Sequence, residues 1–100
     1  MADPILSPDG KLQVVRHSIV YPPMGPKSVQ GAVKNLSQIS LGAEIIVEFF
    51  DEGGNSLGQS TGVFKDISAG EVRLFDVWAE RLPNMYEIES HTIVSVKAIQ

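Results

Sequence analysis

The stretch "LGAEIIVEFFDEGG" (Leu41 to Gly54) decides how the chain is read. Leu41, Ala43, Ile45, Val47 and Phe49 recur at every second position, with Glu44, Ile46, Glu48 and Phe50 between them. A period of two places the first set on one face of an extended strand, whereas a helix would scatter it around the whole circumference. β-Branched and aromatic residues fit a pleated, half-buried surface. Asp51 to Ser56 then supplies turn formers, and the glycines there are free to take positive φ. The stretch therefore predicts a strand that enters a hairpin.

The same reading extends outward in both directions. Residues 1–11, with Pro4, Pro8, Asp9 and Gly10, read as an irregular lead-in, and residues 12–100 read as one domain. Leu12 to Tyr21 forms a first strand of imperfect parity: Val15, Ile19 and Tyr21 share one face, and Leu12, Val14 and Val20 share the other. A bulge or a change of sheet accounts for this. Pro22 to Lys27 holds three prolines and is a loop. In Ser28 to Asn35, Val29, Gly31 and Val33 alternate with Gln30, Ala32 and Lys34, and the mid-strand glycine predicts something bulky packed across it.

Leu57 to Lys65 returns as a more polar strand at a sheet edge. In "DISAGE" (Asp66 to Glu71), Ile67 plugs a corner and Gly70 turns it. Val72 to Trp78 is a strand in which Leu74 and Phe75 conflict in parity, predicting a second bulge. Ala79 to Leu82 is read as a helical turn ended by Pro83. His91 to Ile99 closes the chain, with Val94, Val96 and Ala98 on one face. Six or seven short strands without a long helix indicate an all-β antiparallel sandwich.

Composition narrows the function classes. The 100 residues are 43% hydrophobic and 20% charged, with net charge −4. A weakly acidic chain without a Lys/Arg cluster repels phosphate backbones, so nucleic acid is not expected as a partner. No cysteine is present, which removes thiolate zinc sites, disulfides and thiol nucleophiles. No apolar run reaches the roughly 20 residues of a helical membrane span, so this segment is not expected to insert. The first residues do not read as a signal peptide.

The motifs "VQGAVKN", "EFFDEGGNSLG" and "DISAGEVRLF" together resemble the FxLYD-type domain. The matching residues are Val29, Gly31, Val33, Asn35, Val47, Phe49, Phe50, Asp51, Gly54, Leu57, Gly70, Glu71 and Phe75. Phe50 stands where that family favours Tyr, and Ala69 where it favours Pro. The resemblance covers about residues 29 to 77. It implies an immunoglobulin-like or fibronectin type III-like sandwich in a prokaryotic cell-envelope or exported protein, without an assigned activity. The residues themselves ask for structure rather than chemistry: Gly31 for close approach, Asn35 for side-chain bonds that end a strand, and Asp51 as acceptor for the turn after it.

Each candidate site is weighed against a structural use of the same residues. Asp51, Glu52 and Asn55 are candidate loop ligands for a cation. An EF-hand register starting at Asp51 fails, because Gly53 and Gly62 fall where oxygen donors belong. His17 and His91, the two histidines, bind a metal only if the fold brings them together. "GGNSLGQSTG" lacks the lysine and following helix of a phosphate loop. "NLS" (Asn35 to Ser37) matches a short glycosylation pattern that arises often by chance.

Trp78, Met85 and Tyr86 are a candidate interaction patch, with Trp78 capping one end of the core as the favoured alternative. Glu44 and Glu48 share a face but stand about 13 Å apart at strand rise, too far for a glycosidase pair. Asp76 and Glu80 are a second carboxylate pair better explained as solvated. No cofactor and no enzymatic activity are expected. The sequence favours a non-catalytic structural or protein-interaction module. Its partner would be a protein or a second copy, joined through an edge strand such as the polar fourth strand or the N-terminal one. The alternative is a small-ligand or cation-binding module using the loops at one end.

Overall fold

The structure, a computed structural model, describes residues 5–21, 27–79 and 87–99. Among these residues seven strands follow in chain order: β1 (Ile5–Leu6), β2 (Leu12–Val20), β3 (Ser28–Asn35), β4 (Leu41–Phe50), β5 (Ser56–Ile67), β6 (Val72–Trp78) and β7 (Ser90–Ile99). They form two antiparallel sheets, ordered β1-β2-β3-β6 and β5-β4-β7. The fold is thus the expected all-β sandwich. No helix among the described residues is long and apolar enough to cross a membrane.

β4 behaves as its period requires. Leu41, Ala43, Ile45, Val47 and Phe49 are all buried. They meet Val14, Val29, Val33, Phe75 and Val77 of the larger sheet in one core. β5 is an edge strand, as its polarity suggests. Two residues of the lead-in, Ile5 and Leu6, pair with Val14 and Gln13 as a short outer strand. Ser7 and Asp9 build the turn that follows: Ser7 Oγ donates to Asp9 Oδ1 (2.6 Å) and accepts from Leu12 N (3.0 Å).

Parity explains where the other strands depart from expectation. The register of β2 shifts between Val14 and Arg16, a bulge that leaves Val15 exposed. Beyond it Ile19 turns inward and packs against the same core as Leu12 and Val14, rather than sharing a face with Val15. β7 also shifts register, opposite Ile46 and Val47, so Ile93 and Val96 are buried while Val94 is exposed. The expected common face of Val94, Val96 and Ala98 is corrected accordingly. β6 carries no bulge: its pairing with β3 is continuous, and Leu74 simply faces outward while Phe75 faces in.

Gly31 shows why a side chain is excluded at mid-strand. A Cβ there would lie 2.1 Å from the Arg16 carbonyl oxygen and 2.8 Å from Phe75 Cζ. The bulky neighbour is therefore an aromatic ring from the adjacent strand of the same sheet, not the facing sheet. Phe75 in turn meets Phe64 of the other sheet, ring centroids 5.9 Å apart.

The β5–β6 corner is tied by Asn35. Its buried Nδ2 donates to the carbonyls of Ile39 (2.7 Å) and Ile67 (2.9 Å), while its Oδ1 accepts from Ser37 N (2.9 Å) and Ser37 Oγ (2.7 Å). Its backbone receives Gly70 N (2.9 Å) and donates to Glu71 O (3.0 Å). Gly70 turns the corner at φ 76°, which a side chain would strain. Arg73 closes it, donating from Nε to Glu71 Oε2 (2.7 Å) and from its terminal nitrogens to the Lys65 and Asp66 carbonyls. The Asn35 amide of the NLS pattern is thus buried and fully bonded.

Candidate interaction surface

Alternation along β6 sends Phe75 and Val77 into the core and Val72, Leu74, Asp76 and Trp78 to the outer face. Leu74 is 68% exposed, Val72 49% and Trp78 46%. Trp78 therefore does not cap the core. Its register partner Ser28 has the parity of the outer face yet is itself buried, and Ala79 and Ile88 are the buried hydrophobic residues at that end. Met85 and Tyr86, the rest of the expected patch, lie outside the described residues, as do Glu80 and most of the expected 79–82 helical turn and the 22–27 loop.

Beside this ribbon the middle of the larger sheet carries an open depression of about 710 Å³. Arg16, Ser18, Gln30, Leu74 and Asp76 line it, together with His17, Gly31 and Phe75 of the row between them and Phe64. An exposed tryptophan and leucine on an edge strand, with polar groups of both signs alongside, provide apolar anchors and hydrogen-bonding partners for another protein surface.

The candidate loop ligands form a different arrangement. Asp51 Oδ1 accepts Asn55 N (2.9 Å) and Asn55 Nδ2 (3.2 Å), so that carboxylate braces its own turn. The bond from the Asn55 backbone is the main cause holding the Asp51 carboxyl below its ordinary range. Asp51 and Glu52 also border a smaller depression of about 320 Å³ with Glu87 and Glu89, while Asn55 is no part of its lining. Among the described residues no group of three or more histidines or carboxylates is placed to hold a metal ion. Glu48 accepts from Gln59 Nε2 (3.2 Å) across β5, consistent with a solvated outer face.

The structure does bring His17 and His91 together. Nδ1 of His17 and Nε2 of His91 lie 2.7 Å apart, with the rings edge-to-face at a centroid distance of 4.9 Å. The β2 bulge makes this possible, because it turns His17 onto the inner face opposite β7. Burial lowers the pKa of both imidazoles, and in His91 the charge of His17 lowers it further. The sequence carries no spacing signal for this pair, since 74 residues separate its members. The parity break in β2 was the only trace of it.

An antiparallel two-sheet β-sandwich is the class that this fold defines. Compared with protein-family models, curated proteins and solved structures, the chain matches none.

Proposed function

We propose that the chain is a non-catalytic β-sandwich module that binds another protein through the outer face of β6. The observation that carries this reading is the ribbon of Val72, Leu74 and Trp78, exposed on a strand that is itself a sheet edge. Large apolar side chains aligned on one exposed strand are costly to leave in water and suit a protein partner. The ribbon is exposed, and among the described residues β6 pairs with a strand on one side only, so such a partner would add main-chain hydrogen bonds to side-chain anchoring. The resemblance carried by Val29, Gly31, Asn35, Asp51 and Phe75 adds a cell-envelope or exported setting to the proposal.

A photo-crosslinking residue at position 74, in cells that make the protein, tests this. A protein adduct formed from position 74, and not from Gln59 on the outer face of β5, supports the reading. Equal labelling from both positions removes it. The second reading, a cation or small-ligand module, draws on the four carboxylates bordering the smaller depression, although they do not converge as a metal-holding group as they stand. Calcium that raises the melting midpoint, and does so less after Glu52→Gln, would favour that reading instead.

A further inference from the structure

The larger and smaller sheets meet along one side where β2 faces β7, and the His17–His91 contact bridges this seam. The inward residues beside the pair are Ile19 on β2, Gly31 on β3, Phe49 on β4 and Ile93 on β7, none of which titrates. Of the charged residues of the surrounding strands, Arg16, Lys34, Glu44, Glu48, Asp76 and Lys97 alternate onto outer faces, Arg73 shares the inward parity of Phe75 but is bonded to Glu71 at the β5–β6 corner, and Glu89 precedes β7. No neighbouring carboxylate is therefore placed to compensate charge on the imidazoles.

Neutral, one ring donates its N–H and the other accepts. One added proton still leaves a donor and an acceptor, because a single hydrogen can lie between the two nitrogens. A proton on each nitrogen leaves two N–H groups and two positive charges face to face at hydrogen-bond distance, and the contact is lost. We propose that His17 and His91 form an acid-sensitive latch across the β2–β7 seam, closed when the pair holds at most one extra proton and open when each ring carries one.

The sign follows from burial. Each folded-state pKa lies below the ordinary histidine value, so the folded chain resists protons that the unfolded chain accepts. The latch contributes its full stability above the unfolded pKa of about 6.5. That contribution is lost as pH falls from there toward the folded values. Each imidazole kept neutral on folding raises the unfolding constant by up to about tenfold per pH unit within that window.

The test is urea unfolding from pH 8 to pH 5, with NMR titration of both imidazoles. His17→Asn/His91→Gln places amides where Nδ1 and Nε2 stood, keeping a neutral hydrogen bond without the titration. The expected result is a steep rise of the unfolding constant below about pH 6.5 in the native chain and its loss in the double variant. Equal slopes in both proteins would overturn the latch. So would both imidazoles of the folded native chain titrating at or above 6.5, a measurement that decides even if the double variant fails to fold. Zinc that raises the melting midpoint of the native chain and not of the variant would assign the pair to a metal instead.

Discussion

β4 and the β2–β7 seam are built from similar residues and follow opposite rules. β4 lies at the centre of its sheet, paired on both sides, and keeps strict alternation across its whole inner face. β2 and β7 each break register once, and each break exposes a valine, Val15 or Val94. In β4 the core dictates every second residue. At the seam the bulges re-aim the chain, and one of them turns a polar residue, His17, toward the opposite sheet. The difference teaches that parity defects in a β protein are informative: they mark where the strand is positioning a side chain instead of filling a core.

The most severe way to break that comparison is Phe49→Ala. Phe49 is fully buried in the inner row of β4 and stands opposite His91 in register. Its loss should cost about 3–5 kcal/mol and bring down centre and seam together. A denaturation midpoint left unchanged would contradict the core assignment. Next is Asn35→Ala, which strips the Ile39 and Ile67 carbonyls and both Ser37 donors of their partner. Leaving such groups unsatisfied in the interior costs about 1–3 kcal/mol. The loss should fall on the β5–β6 corner, seen as faster amide exchange at Gly70 and Glu71 while β4 stays protected.

Acid titration sharpens the contrast by separating two windows. Its bond with Arg73 holds the Glu71 carboxyl below the ordinary range. A depressed carboxyl contributes stability above its unfolded pKa, and that contribution disappears as pH falls through the folded value. Glu71→Gln should therefore flatten the pH dependence of stability below about pH 4.5 and leave the histidine window untouched. Urea midpoints measured from pH 7 to pH 3 check this. The smallest effect is expected from Trp78→Ala: a half-exposed residue outside the core should change stability by less than about 1 kcal/mol. A much larger loss in a thermal melt would mean that Trp78 is structural and would weaken the interaction surface.

Much of the architecture was legible because its signals are local. The period of two in β4, the turn chemistry of Asp51 to Asn55, the plug at Ile67 and the capping amide of Asn35 each follow from neighbours in sequence. Trp78 was misplaced for a physical reason. A large aromatic is usually buried, but β6 runs without a bulge, and strict alternation after Val77 points Trp78 outward. The parity conflict at Leu74 suggests a bulge, whereas Leu74 is an apolar residue left on the surface.

By itself the sequence determined that the chain folds as layered strands, because an apolar row at every second residue can be removed from water only against another sheet. Tertiary structure alone decided that the two histidines meet and that β6 carries its apolar ribbon outside. Both depend on how strands from distant parts of the chain are registered, and on where a bulge resets that register. No local preference encodes this, because the energy that fixes it comes from packing one sheet on the other.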